Sequence, residues 1–180
     1  TADLSDDVRP LLPPIPLEKN GKRIACIGAG CASLTVANDL LPLGYEVVVY
    51  ERLDRTGGLM RTNIPAFRLP QTVLDNELNT IIDMGVDLRL NQRVDSLATL
   101  LEESYDAVFI GTGAPRGKNL EIPGRYESDR IHIGIDWLES VAFEHTKKIG
   151  EQVLIIGVGN TAMDCCRTSL RLGGKQVKVM

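Results

Sequence analysis

The sequence predicts an α/β protein: a Rossmann-like domain, built as a parallel sheet with flanking helices, followed by the beginning of a second Rossmann-like domain. Two observations carry this. Short apolar runs at Lys22–Ile27, Glu46–Tyr50, Ala107–Ile110 and Val153–Ile156 read as strands, and unbroken apolar strands fit a parallel sheet covered on both faces. The first and last of these runs end in glycine-spaced turns that open helices.

Each element follows in order. Thr1–Asn20 reads as a linker: Asp3, Asp6 and Asp7 open it, and Pro10, Pro13, Pro14 and Pro16 favour extended backbone. It is either a tail or a connector from an upstream domain. After the strand at Lys22–Ile27, a helix is expected over Ala32–Leu41, with Leu34, Ala37, Leu40 and Leu41 on one face and Gly44 as its stop. The strand Glu46–Tyr50 completes a βαβ unit. Leu53–Pro70 is rich in Gly, Pro and Arg and reads as an ordered loop. A helix is expected over Gln71–Met84, a strand over Asp87–Leu90, a short helix over Ser96–Glu103 and a strand over Ala107–Ile110. A polar connection, Arg116–Arg130, leads to a helix over Ile135–Lys147. The strand Val153–Ile156, a helix over Thr161–Leu172 capped by Gly173-Gly174, and a strand opening at Val177–Met180 end the chain.

Composition excludes several classes. Of the 180 residues, 43% are hydrophobic and 24% charged, which is globular rather than disordered composition. The net charge of −4 offers no basic footprint for nucleic acid. No apolar stretch reaches membrane-spanning length and no signal-peptide pattern opens the chain, so the cytoplasm is the expected compartment. Cys26, Cys31, Cys165 and Cys166 form no CxxC pair, so no metal site is expected. His132 and His145 have no ligand partners at sensible spacing and read as surface or structural residues.

Two phosphate cradles carry the chemistry. The first is Gly28-Ala29-Gly30-Cys31-Ala32-Ser33, placed between strand and helix. The first glycine permits the tight turn and the second admits a pyrophosphate close to the backbone. The third position, here Ser33, holds the helix near the strand. Free N–H groups and the helix dipole favour the anion. Glu51 lies 23 residues after Gly28, at the end of the second strand, where a carboxylate can accept hydrogen bonds from ribose hydroxyls. Its neighbour Arg52 joins the candidate cofactor contacts. Cys31, at the helix N-terminus where a thiol pKa falls, reads either as a redox group or as a small residue tolerated beside phosphate. The second cradle is Gly157-Val158-Gly159-Asn160-Thr161-Ala162, with the accepted Ala in third place. Its ribose-reading residue is expected at or just past Met180, which leaves NADH against NADPH open.

Two cradles about 130 residues apart suggest a flavoprotein with an inserted nicotinamide domain. The division is then 1–20 linker, 21–130 FAD-binding domain, 131–150 connection, and 151–180 the start of an NAD(P)H-binding domain. Four stretches, KRIACIGAGCAS from Lys22, GGLMRTNIPAFRLP from Gly57, DAVFIGTGAPRGKNLEIPG from Asp106 and GVGNTAMDCCR from Gly157, resemble the small subunit of glutamate synthase and the flavin domains of dihydropyrimidine dehydrogenase and related NAD(P)H:acceptor reductases. The resemblance runs from about Gly21 to Met180.

The resemblance implies FAD across the first cradle, with Gly28, Gly30 and Ser33 near its pyrophosphate and Glu51 on its ribose. Gly58, Leu59 and Arg61 would continue the site towards the flavin. Val94 would meet the adenine through its backbone, and Thr112 and Gly113 would pass close to the cofactor. Gly159, Asn160 and Thr161 would receive the phosphates of NAD(P)H beside Gly157. It also implies iron–sulfur clusters on an upstream segment or a partner chain, within a larger polypeptide or hetero-complex. The implied activity is hydride transfer from NAD(P)H to FAD and electron release to an iron–sulfur or other redox partner; no catalytic side chain is assigned. Cys31 stands where the family usually has Pro, Ser33 where it has Gly, and Thr62-Asn63 where it has Tyr-Gly. Asn63 can still take a positive φ in that glycine's place, at moderate cost.

These departures motivate an alternative, a non-catalytic Rossmann-fold subunit or fragment that serves assembly of a larger redox complex. Because the last ~30 residues are too few to bury a core alone, the chain is expected to be a fragment, the ordered part of a longer chain, or docked on another. Arg68 could face phosphate or flavin, or be a solvated charge. Asp164 could bond a loop of its own domain, cap the helix or pair with Arg167.

Overall fold

The strands β1 (Arg23–Ile27) and β2 (Glu46–Tyr50) run parallel, joined by the helix α1 (Cys31–Leu40) and a single 3-10 turn, Leu41–Leu43, that ends on Gly44 at φ +85°. The computed structural model describes residues 14–180. Pro10 and Pro13 and the acids Asp3, Asp6 and Asp7 of the expected linker lie outside the described residues. Within 14–20 no regular element forms, yet Ile15 packs against the first core cluster and the Asn20 amide donates to the Gly44 carbonyl at 3.0 Å.

The chain divides into two compact units. The first comprises the chain up to Met60 together with Pro70–Gly113. It adds α3 (Gln71–Ile82), β3 (Asp87–Arg89), α4 (Leu97–Glu102) and β4 (Ala107–Ile110) to the opening βαβ unit. Its four strands are all parallel, in the order β3-β2-β1-β4. Alternation along the strands divides the core in two. Ile24, Cys26, Val47 and Val49 face one layer, with Ala37 of α1 and Leu41. Ala25, Val48 and Tyr50 face the other, with Leu100 of α4. Covering both faces is what lets these strands be apolar throughout.

The second unit comprises Arg61–Leu69 and Ala114–Met180. It holds α5 (Gly134–Ala142), β5 (Gln152–Ile155), α6 (Asn160–Arg171) and β6 (Gln176–Val179), with β5 and β6 paired in parallel. Trp137 and Leu138 of α5 pack on Cys165 of α6, and all three are buried. On the strands, Val153, Ile155, Val177 and Val179 are half-buried, whereas Leu154 and Ile156 are exposed.

Two expectations need correction. The Gly-Pro-Arg-rich segment is not loop throughout: α2 (Leu59–Thr62) forms one helical turn after Gly58. The helix expected over Ile135–Lys147 stops at Ala142, because Glu144 turns to φ +59° and the amides of His145 and Thr146 both donate to the Ser140 carbonyl. Among the described residues no helix is long and apolar enough to cross a membrane.

Candidate functional site

The first cradle is the turn between β1 and α1. Gly28 takes φ +93°, and a Cβ there would lie 2.7 Å from the Gly111 carbonyl oxygen, so only glycine fits. The Gly28 amide donates to the Tyr50 carbonyl at 2.7 Å and the Gly111 amide to Ile27 at 2.9 Å. These bonds tie the ends of β1, β2 and β4 together. Gly30 is the N-cap of α1 in extended conformation, and no side chain caps the helix. A Cβ on Gly30 would meet only the Gly58 Cα, at 4.0 Å. The first turn of α1 therefore offers its amides and the positive end of its dipole to an anion, with open space before them.

Glu51 faces this turn. Its Oε2 accepts from the Ala29 amide at 2.8 Å and its Oε1 from the Leu53 amide at 2.9 Å, and the residue is 7% exposed. Sequence reasoning assigned the carboxylate to a ribose alone, but it also braces the turn. An ionised carboxylate has about four acceptor directions, so two such bonds leave capacity for sugar hydroxyls. The Gly57-Gly58 pair closes on the same turn. The Gly57 amide donates to the Ala29 carbonyl at 2.9 Å, and Gly58, at φ +51°, would bring a Cβ to 3.0 Å from the Gly30 Cα.

The structure thus brings Gly28, Gly30, Glu51 and Gly58 together, with Cys31, Ala32 and Ser33 in the opening turn of α1. Cys31 and Ala32 are exposed; Ser33 is fully buried and its hydroxyl has no partner. A Cβ on Gly111 would fall 2.2 Å from that hydroxyl, so strand end and helix touch here and the third position must stay small. Leu59 and Arg52 are exposed. Val94 is half-buried against the cluster of Tyr50 and Leu100, and Thr112 and Gly113 follow β4 in the open. Arg61 falls in the second unit.

The second cradle is the turn between β5 and α6. Gly157 takes φ +124° and donates to the Met180 carbonyl at 2.7 Å. Gly159 is the N-cap of α6, again without a side-chain cap, and a Cβ there would meet nothing within 4 Å. Asn160 and Thr161 are exposed at the helix start. In both turns the helix that follows starts without a side-chain cap.

A third constellation had no local signal in the sequence. Arg68 donates to Asp164 Oδ2 at 2.6 Å, and the carboxylate side chain is only 7% exposed. Arg68 itself stays exposed, at 38% for its side chain, while Asp164 pairs with it instead of with Arg167. Arg167 and Arg171 lie over the Phe67 ring, 4.8 and 3.8 Å from its centroid. Asn63 does not use the positive φ open to it. Its side chain instead donates to the Ile135 carbonyl at 2.7 Å and accepts from the Thr62 hydroxyl.

Burial pushes the thiols of Cys26 and Cys165 up to about 11. His132 and His145 are exposed.

Comparison with known proteins accords with this geometry. The family model described as pyridine nucleotide-disulphide oxidoreductase matches residues 22–180. The chain is 37% identical over 165 residues to the NADP(+)-dependent formate dehydrogenase subunit beta of Moorella thermoacetica, covering 89% of this chain and 23% of that one. It is 35% identical over 177 residues to the glutamate synthase [NADPH] small chain of Bacillus subtilis, covering 92% and 36%. It is 37% identical over 161 residues to the NAD-dependent dihydropyrimidine dehydrogenase subunit PreT of Salmonella typhimurium, covering 88% and 38%. The chain thus spans well under half the length of these relatives. Among solved structures, FprA of Mycobacterium tuberculosis in complex with NADPH shares the fold at a TM-score of 0.74 and 22% identity, over 88% of this chain and 42% of that one. The chain belongs to the pyridine nucleotide-disulphide oxidoreductase family, whose expected cofactors are FAD and NAD(P)H.

Proposed function

We propose that this chain forms part of a flavin-dependent NAD(P)H oxidoreductase, similar to the glutamate synthase small subunit, that passes electrons from NAD(P)H through FAD to an iron–sulfur or other redox partner. The observation that supports this reading best is the first cradle: an uncapped helix start with open space before it, braced from behind by the buried Glu51 carboxylate. In this reading residues 21–130 belong to the FAD-binding domain, 131–150 to a connection and 151–180 to the start of the NAD(P)H-binding domain.

Gly28, Gly30, Cys31, Ala32 and Ser33 would hold the FAD diphosphate through backbone amides, and Glu51 a ribose, with Arg52 alongside. Gly58, Leu59, Arg61, Val94, Thr112 and Gly113 would line the rest of the cofactor's path. Gly157, Gly159, Asn160 and Thr161 would take the phosphates of NAD(P)H. The flavin supplies the hydride-accepting chemistry, so the protein's task is position and electrostatics. The partner is an iron–sulfur or catalytic subunit or domain, the assembly is a larger polypeptide or hetero-complex, and the compartment is the cytoplasm. The relatives' status as subunits or larger chains supports that setting.

Purification of the full-length protein tests the reading. A yellow protein whose flavin absorbance bleaches anaerobically with NADH or NADPH is expected. A colourless protein that refuses added FAD would overturn it and favour a non-catalytic assembly subunit.

A further inference from the structure

We infer that Arg68 is a positioning residue for the second cradle: it neutralises the buried Asp164 carboxylate and so keeps the start of α6 receptive to the dinucleotide diphosphate. The inference rests on the reading of that cradle as the NAD(P)H site.

Asp164 lies four residues beyond Asn160, about 6 Å along the helix axis at 1.5 Å per residue. An anion bound at the uncapped N-terminus of α6 would meet the positive end of the helix dipole and, one turn deeper, this carboxylate. Asp164 is 5% exposed, so solvent screens it poorly. Left alone it would oppose the dipole. Arg68 supplies the compensating charge through a 2.6 Å charge-assisted hydrogen bond.

The segment that carries Arg68 is anchored by its neighbours. Phe67 lies under the guanidiniums of Arg167 and Arg171, and Asn63 is bonded to the Ile135 carbonyl. Segment Arg61–Leu69 is thereby fastened to both α5 and α6. Arg171 in turn donates to the Arg167 carbonyl at 2.8 Å, which keeps the two cations on one face of α6.

The test is a charge cycle in the full-length holoprotein, read as the dissociation constant of NADH or NADPH from the concentration dependence of flavin reduction in rapid mixing. A uncompensated charge at this range is expected to weaken the dinucleotide by about tenfold in Arg68→Gln, with the limiting reduction rate and the bound FAD unchanged. The loss should shrink as ionic strength rises. Asp164→Asn alone should bind at least as tightly as the unsubstituted protein, and Arg68→Lys, which keeps the charge, should stay within about twofold of it. The double variant Arg68→Gln/Asp164→Asn should regain the original affinity.

A merely structural role predicts otherwise, since the double variant would then bind as poorly as Arg68→Gln. That result, or an unchanged affinity in Arg68→Gln, overturns the inference while leaving the site assignment intact. Failure of the unsubstituted holoprotein to reduce its flavin with either nucleotide instead removes the assignment itself.

Discussion

The two cradles share a sequence pattern but differ in what enforces it. In the first, the glycines are demanded by the protein's own packing: Gly28 is pressed against the Gly111 carbonyl and Gly58 against Gly30. In the second, Gly157 is fixed by its φ of +124°, but Gly159 has an ordinary φ of −79° and nothing within 4 Å of where a side chain would go. The first turn rises from four parallel strands with a buried layer on each face, and the second from β5 and β6, beside which α5 packs on α6.

Substitutions can break or sharpen this contrast. The largest effect is expected for Gly28→Ala, where a positive φ and a collision with backbone combine to cost about 2–5 kcal/mol. Loss of the cooperative thermal transition together with flavin content would report it, and a normal melting temperature would show that the first cradle is not bound by packing. Glu51→Ala strips acceptors from the buried Ala29 amide and the Leu53 amide, at about 1–3 kcal/mol for the group left unsatisfied. Glu51→Gln keeps one acceptor oxygen and sets its NH2 against the other amide, so it should recover only part of that stability in urea titrations.

Gly159→Ala is the informative opposite. It should leave the melting temperature within a degree or two while weakening NAD(P)H about tenfold or more, close to 1.4 kcal/mol. Equal losses of stability and affinity would erase the distinction between the turns. Ser33→Ala should be neutral or stabilising by up to about 1 kcal/mol, since a buried hydroxyl without a partner is removed; a clear loss of flavin affinity there would mean that the hydroxyl serves the cofactor.

The smallest effect concerns the thiols. Cys31 is exposed, whereas Cys26 and Cys165 are buried, and their folded thiols are raised from 9.0 to about 11. Because the raised value belongs to the folded state, the stability each contributes is intact below pH 9 and is lost as pH climbs from 9 to about 11. Labelling at pH 8 should modify Cys31 first, and both buried thiols only as the fold opens.

Legibility in the sequence followed the same divide between local and distant causes. β2 and β4 were readable to the residue, because compact apolar runs bounded by turns and acids leave little choice of frame. The strand–turn–helix placement of both glycine turns was readable from the glycine spacing between an apolar run and a helical stretch. The overrun of α5 came from Val141 and Phe143 continuing an apolar periodicity with no Gly or Pro to stop it; the stop is a positive φ at Glu144 and a Ser140 carbonyl shared by two amides. The helical turn at Leu59–Thr62 hid among Gly, Pro and Arg. The Arg68–Asp164 pair was out of reach, since 96 residues separate its partners and nothing nearby in sequence marks either as the other's counterpart. The role of Asn63 was out of reach for a related reason: its side chain bonds a carbonyl 72 residues away.

Trp137 is the chain's sole indole and sits buried beside Cys165 in the second unit. Within residues 1–180, intrinsic fluorescence excited in the red edge of the ultraviolet therefore reports on the second unit, and flavin colour at the proposed FAD site reports on the first. Two dyes, one native and one borrowed, give separate optical clocks for the two halves, and a gap between their midpoints would expose an intermediate that a single probe would average away.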